Sequence, residues 1–138
     1  MLTFRNVVLP LLFGAIMVCT EVAHVHAGPK DGNVVAGDAN IVQLNPKLLE
    51  IIQGSDKVII DWRSFSIDWD ELVRFLQPDS DSKALNRVNG DTPSYILGQL
   101  TADGRVMLIN PNGVLFGDSA VVDIGLSLIH ISEPTRPY

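Results

Sequence analysis

A chain of 138 residues with 10 basic and 16 acidic side chains carries a formal charge of −6, which leaves room for one small domain. Without a basic patch it lacks the electrostatic footprint of nucleic-acid binding or of adhesion to an anionic membrane. Its single cysteine, Cys19, lies in a segment expected to be removed, so disulfides, cysteine-ligated zinc and thiol catalysis are excluded from the mature chain.

Arg5 opens a short basic region and Val7–Cys19 is an apolar core. Val25-His26-Ala27 then supplies the small residues of a signal-peptidase site. Residues 1–27 therefore read as an export signal cut after Ala27. The apolar core is too short for a comfortable membrane span; a signal anchor or a buried helix is the competing reading. Cys19 follows Ile16, Met17 and Val18, which do not make a lipoprotein box. An exported small domain usually needs a disulfide staple. Its absence fits either a piece of something longer or a chain that must stay unfolded after export.

Residues 28–37 (GPKDGNVVAG) are loop-rich, a flexible lead-in or the start of a cap. Ile41–Gln53 is ambiguous. Asn45 could cap a helix opened by Pro46 and stopped by Gly54, with Leu48, Leu49 and Ile52 on one face. Lys57–Trp62 is β-branched and apolar, hence a strand. Ile60 and Trp62 share one face and Phe65 and Ile67 the other, which requires a bend or bulge near Arg63-Ser64. Trp69–Gln77 is ambiguous again. Trp69, Leu72, Val73 and Leu76 fit a helical face with Asp68 as N-cap and Glu71 three residues on. As a strand, Val73 and Phe75 would point one way and Leu72 and Leu76 the other.

Two polar loops come next, Pro78–Lys83 and Asn89–Pro93. From Tyr95 the turn signals are regular, at Asp103-Gly104, Asn110–Gly113 and Gly117-Asp118, with short apolar segments between them. Many short strands with turns at this density argue for an all-β chain. At Asn110-Pro111-Asn112-Gly113 two turns compete. A hairpin looped at Asn112-Gly113 would place Pro111 where an N–H is needed. A turn beginning at Asn110 puts Pro111 at its favoured second position and Gly113 at the exit. The second is preferred, and it joins strands of different sheets.

Candidate chemistry is sparse. Asp61, Asp68, Asp70 and Glu71 form the best carboxylate cluster, against a reading as solvated loop and strand-edge acids. His24 and His26 leave with the signal, and His130 lies in a divergent tail. Asp118 and Asp123 lack calcium-loop spacing; Asp79-Ser80-Asp81-Ser82 comes nearest and reads as a solvated loop. Trp62, Phe65, Trp69 and Phe75 could stack on sugars, but aromatics at these spacings are expected in the core.

Several stretches in order resemble one family. They are Val58-Ile59-Ile60-Asp61-Trp62-Arg63-Ser64-Phe65, Val73-Arg74-Phe75 with Gln77-Pro78, Leu85-Asn86-Arg87-Val88, Ile96-Leu97-Gly98-Gln99-Leu100, and Arg105–Gly117. From Val58 to Gly125 the chain resembles the haemagglutination-activity (two-partner-secretion) domain of filamentous-haemagglutinin-like exoproteins. The resemblance implies a right-handed parallel β-helix, its first rungs and N-terminal cap, incomplete in this fragment. It also implies strands at 46–53, with Leu49 and Ile51 inward, and at 69–77. Residues 28–125 would be the N-terminal part of the secretion domain. Residues 126–138 (LSLIHISEPTRPY) depart from the family and resemble translated sequencing-adapter DNA, a tail set aside as non-native.

The function implied is secretion targeting of an adhesin, haemagglutinin or haemolysin type of exoprotein. The route is Sec export, recognition by the periplasmic domains of a dedicated outer-membrane transporter, passage through its barrel, and β-helix folding outside a Gram-negative cell. Asn110, Pro111, Asn112 and Gly113 match the family's secretion motif. Trp62, Phe65, Asn86 and Arg87 are expected in structural support, with Asn86 and Asn110 at bends where they satisfy stranded backbone groups. The family's upstream Asn-Pro signature is not matched; Asn45-Pro46-Lys47-Leu48 is similar but sits too early. No enzyme activity, cofactor or metal is expected, and any host surface or carbohydrate ligand would belong to downstream sequence. The alternative is a secreted β-helix polysaccharide hydrolase or lyase using the Asp61–Glu71 carboxylates.

A stacked coil cut after its first rungs leaves apolar edges open, and about three rungs are usually needed. Residues 28–125 alone are therefore expected to aggregate or stay largely unfolded; a sharp cooperative melt in calorimetry would contradict this.

Overall fold

The computed structural model describes residues 28–124. The signal segment, the cleavage position and the divergent tail lie outside them. The described residues form eleven strands and no helix. β1 (Asn33–Ala36) and β2 (Ala39–Asn45) lead in. β3 (Leu48–Gln53) and β4 (Lys57–Trp62) begin the first coil. β5 (Leu72–Leu76), β6 (Lys83–Val88) and β7 (Ser94–Ile96) make the second. β8 (Gln99–Ala102), β9 (Arg105–Ile109) and β10 (Val114–Phe116) make the third, and β11 (Val121–Asp123) opens the next.

Equivalent strands stack in parallel on three faces. On the first, Leu48 lies beside Leu72, Leu72 beside Gln99, and Gln99 beside Val121. On the second, Lys57, Lys83 and Arg105 stack in the same way. On the third, Ser94 lies beside Val114, and an isolated bridge joins Ile67 to Ile96. This is a parallel β-helix. Two antiparallel strands close its N-terminal end: β1 pairs with β4, and β2 with β3. The loop-rich lead-in thus becomes a cap that satisfies the first coil's exposed edges.

Both helix-like segments are strands, as the resemblance implied. Leu49 and Ile51 point inward on β3, and Val73 and Phe75 on β5, while Leu72 and Leu76 are half-buried. The capping signals are nonetheless used. Asn45 Oδ1 accepts the Lys47 amide at 2.8 Å, which shapes the tight hairpin between β2 and β3. Glu71 Oε1 accepts the Asp68 amide at 2.8 Å, and the Glu71 amide donates to the Asp68 carbonyl at 3.0 Å. This is the reach-back half of a capping box, here closing a turn. From Leu72 the backbone pairs with β3 and β8 instead of continuing into a helix.

Apolar side chains stack in columns inside the coil: Leu49–Val73–Leu100 on the first face, Val58–Ala84–Val106 on the second. Ile60, Trp62, Phe65 and Ile67 are all buried, so the chain does turn at Arg63-Ser64. Trp62 and Phe65 meet edge to face, with ring centroids 5.4 Å apart, the geometry favoured by their quadrupoles. Trp69 departs from expectation. It is 69% exposed, because it sits on the turn closed by Asp68 and Glu71, outside the inward alternation of either flanking strand.

Asn86 also departs from the bend expected for it. It lies mid-strand in β6, fully buried in the column between Ile60 and Leu108. Its Oδ1 accepts the Trp62 indole N–H at 2.8 Å, and its Nδ2 donates to the Met107 and Ala84 carbonyls at 3.3 and 3.4 Å. A buried indole N–H needs an acceptor, and no aliphatic residue in that column could provide one. Arg87, next in the strand, faces outward and donates to Asp61 Oδ1 at 2.7 Å. That hydrogen bond holds the Asp61 carboxyl below its ordinary value. Whatever stability it adds is present above the ordinary carboxylate pKa and is lost as pH falls through the lowered one.

Asn86→Ala leaves the Trp62 N–H without its acceptor and is expected to cost about 1–3 kcal/mol. Arg87→Ala, on the solvated face, should stay within about 1 kcal/mol of the parent. Denaturant unfolding of the secreted domain checks both, and equal costs would refute the assignment.

Candidate functional site

The strand β9 ends at Ile109, and the next residue, Asn110, is fully buried. A turn starts there: the Gly113 amide donates to the Asn110 carbonyl at 2.9 Å. It carries the chain from β9 on the second face to β10 on the third. Of the two turns open to the sequence, this is the one beginning at Asn110. Pro111 and Asn112 form its exposed tip. Gly113 takes a φ of +110°, a backbone conformation that side chains strongly disfavour.

The Asn110 side chain pins this corner to the coil beneath. Its Nδ2 donates to the Thr92 carbonyl at 3.0 Å and to Ser94 Oγ at 2.9 Å. Its Oδ1 accepts the Asn112 amide at 2.9 Å and the Asn112 side-chain amide at 3.2 Å. Asn112 Nδ2 also reaches the Gly90 carbonyl at 2.9 Å, and the Gly113 carbonyl accepts the Ser94 amide at 2.9 Å. An Asn offers both donor and acceptor from one short side chain. Both are consumed here, on backbone groups that no strand pairs.

The opposite corner, between the first and second faces, uses glutamine. Gln77 Nε2 donates to Gln53 Oε1 at 3.1 Å and to the Arg105 carbonyl at 3.3 Å, and its Oε1 accepts the Gly104 amide at 2.6 Å. Gln53 Nε2 donates to the Ser55 and Lys83 carbonyls at 2.7 and 3.1 Å. Sequence reasoning missed this ladder, and it missed Gly90, Thr92 and Ser94. A weak signal existed: Gln53 ends β3 and Gln77 directly follows β5, and the two glutamines are 24 residues apart.

The remaining sequence candidates do not converge. Trp62, Phe65 and Asn86 belong to the core, and Arg87 to the outer face. The carboxylates are committed separately: Asp61 to Arg87, Asp70 to Lys47, Asp68 to the Trp69 amide at 2.9 Å, and Glu71 to the Asp68 amide. The Lys47 ammonium holds the Asp70 carboxyl below its ordinary value, and Asp70 raises Lys47. In the Asp79–Ser82 loop, Asp79 Oδ1 accepts the Asp81 amide at 2.9 Å and Ser82 Oγ at 3.1 Å. Among the described residues no group of three or more His, Cys, Asp or Glu could hold a metal ion. His24, His26 and His130 lie outside them. What the Asn110 corner offers is an uncharged turn with an exposed Pro111-Asn112 tip, hydrogen-bonded to the coil beneath and holding no group placed for proton or group transfer.

A family model described as the TPS secretion domain matches residues 26–133. Two curated relatives are both named heme/hemopexin-binding protein. One, from Haemophilus influenzae strain Rd, is 43% identical over 96 residues, covering 70% of this chain and 10% of that protein. The other, also from Haemophilus influenzae, is 40% identical over 116 residues, covering 80% and 12%. A crystal structure of the HMW1 secretion domain from Haemophilus influenzae is similar with a TM-score of 0.65 and 38% identity, over 69% of this chain and 25% of that one. The chain thus spans about a tenth of the curated relatives and a quarter of the solved domain.

Because a Cβ on Gly113 would meet nothing within 4 Å, the cost of Gly113→Val is conformational, about 1–3 kcal/mol. Asn110→Ala should cost a similar amount through its lost hydrogen bonds, whereas Pro111→Ala should be nearly neutral. Amide exchange at Ser94 and Asn112 reads the corner directly; unchanged protection in Asn110→Ala would show that the side chain does not hold it.

Proposed function

Since the chain belongs to the family of TPS secretion domains, the secretion-targeting modules of large exoproteins, we propose that its Asn110–Gly113 segment serves the handover to a dedicated outer-membrane transporter of the two-partner-secretion type, read as an unfolded segment in the periplasm and closing a corner of the coil once outside. The protein is exported by the Sec machinery, loses residues 1–27, and reaches the transporter's periplasmic domains unfolded. Its strands pair there with the transporter by β-augmentation, and it passes through the barrel to the surface of a Gram-negative cell. Residues 28–125 then fold as the leading coils of a longer β-helix, and the exoprotein is released or stays cell-surface associated.

The observation that carries this reading is the polarity of the stack. Antiparallel β1 and β2 seal one end, while β10 and β11 are, among the described residues, the last strands of their sheets at the other. Folding can then propagate in one direction, each coil templated by the one before. Emerging chain that docks onto a finished coil is held outside, which opposes backsliding without an energy source. Residues 28–125 contain no cysteine, so no crosslink within them obstructs a narrow pore.

The relatives named for heme and hemopexin are about ten times the matched length, and an effector activity of that kind is assigned here to downstream sequence. The polysaccharide-cleaving alternative has no supporting geometry. It needs two carboxyl groups facing each other across a substrate cleft, and the four candidates are tied up in separate contacts.

In a secretion assay with the transporter present, Asn110→Ala and Gly113→Val should each lower the amount of exoprotein in the medium by an order of magnitude or more. Asp61→Asn and Asp68→Asn should change it less than twofold. Loss of a sugar-cleaving activity in the carboxylate variants, with secretion intact in the corner variants, would overturn the proposal.

A further inference from the structure

Glu71 has a use that the secretion motif does not absorb. It is only 9% exposed, and its Oε1 accepts the Asp68 amide at 2.8 Å. Among the described residues it belongs to no ion pair; the nearby Lys47 is engaged with Asp70. A carboxylate so far removed from water, with one amide donor, is short of compensation. What lies against it is the start of the chain that leaves the signal peptide. A Cβ built on Gly28 would fall 3.7 and 3.9 Å from the two Glu71 carboxylate oxygens, so the main chain of Gly28 passes beside the carboxylate. That start is held in place. The Lys30 amide donates to the Ser64 carbonyl at 2.9 Å, and the Arg63 amide to the Lys30 carbonyl at 3.0 Å. Gly28, Pro29, Gln43, Leu49, Glu71 and Val73 line one mainly apolar cavity of about 260 Å³.

We infer that cleavage after Ala27 creates a charged latch, in which the new α-ammonium of Gly28 pairs with the Glu71 carboxylate and locks the N-terminal end of the chain onto the first coil. Before cleavage the Gly28 nitrogen is a neutral amide, able to donate one hydrogen bond and carrying no charge. Hydrolysis of the Ala27–Gly28 bond adds water across it, leaving a carboxylate on the released peptide and an amine on Gly28 that is protonated near neutral pH. Glu71 then gains a counter-ion at a site where apolar walls weaken solvent screening. Closure of the first coil is in this way strengthened by processing. The other charged groups facing the site are Lys30, Lys47, Asp68 and Asp70. Lys47 and Asp70 offset each other, Asp68 caps the Trp69 amide, and Lys30 adds a positive charge that would oppose the ammonium.

The inference rests on the cleavage position, and the test separates the two. Mass spectrometry of the secreted protein should find Gly28 at its N-terminus. Competitive labelling of that amine across pH then gives its titration midpoint. In the parent it should lie above the range of about 7.7–8.0 usual for an α-amine, because an adjacent carboxylate favours the charged form. In Glu71→Gln, which keeps an oxygen to accept the Asp68 amide, it should fall back into that range. Asp81→Asn, on the loop between β5 and β6, should leave it high. The stability added by the latch is then complete below the ordinary α-amine pKa and fades as pH rises through the raised one. A Gly28 start with the same midpoint in parent and Glu71→Gln overturns the latch alone. Any other N-terminal residue overturns it together with the cleavage site, while the effects of the Asn110 and Gly113 variants on secretion remain an independent measure of the motif.

Discussion

In a stacked coil a strand finds its hydrogen-bond partners in the coils above and below, and only the cap strand β2 pairs with its neighbour in sequence. That single constraint governs this chain. It demands that equivalent residues of successive coils lie in register, that apolar side chains meet their counterparts in columns, and that both ends be dealt with separately. Leu49, Val73 and Leu100 can form one column only because the backbone pairing from β3 through β5 to β8 runs without a shift. The same constraint explains the antiparallel β1 and β2. Without them, the first coil would offer a row of unpaired amides and carbonyls to any other chain.

Corners are where such a fold is most exposed to failure, since there the backbone leaves the ladder and its polar groups lose their partners. This chain answers with amides. Gln53 and Gln77 span one corner, and Asn110 and Asn112 the other, each joining groups of neighbouring coils. Asn86 meets a different need inside the column, accepting the Trp62 N–H. Neutral amides can give and receive at once and carry no net charge into the interior. An ion pair in the same places would have had to offset a larger loss of hydration.

Much of this was legible in the sequence, though not from one kind of signal. Turn chemistry located the bend at Asn110 and its join between different sheets, because proline's missing N–H excluded the hairpin. Alternation located the bend at Arg63-Ser64. The strands β3 and β5 were not legible from local pattern, since Asn45 and Asp68–Glu71 carry genuine capping chemistry. That chemistry appears in the structure as turns, and long-range pairing sets the conformation of the residues after them. Resemblance, not periodicity, supplied the strand assignment. Trp69 and Asn86 were misplaced for a common reason: whether a side chain faces in or out depends on where the turn ends, and a sequence locates turn ends poorly. The glutamine ladder was missed because two residues 24 positions apart look unrelated until the coil brings them together.

The coils do not contain equal numbers of residues: Leu48 meets Leu72, Leu72 meets Gln99, and Gln99 meets Val121. The strands nevertheless stay aligned, so the difference is taken up wholly in the corner segments. Evolution can therefore lengthen or shorten such a protein at the exposed Pro78–Asp81 loop at little cost, as loop entropy changes slowly with length. A single residue gained or lost inside β5 or β6 would turn the remaining side chains of that strand inside out. Divergence in this architecture should be read as tolerance for insertions and deletions at the vertices of a prism whose sides admit substitutions alone.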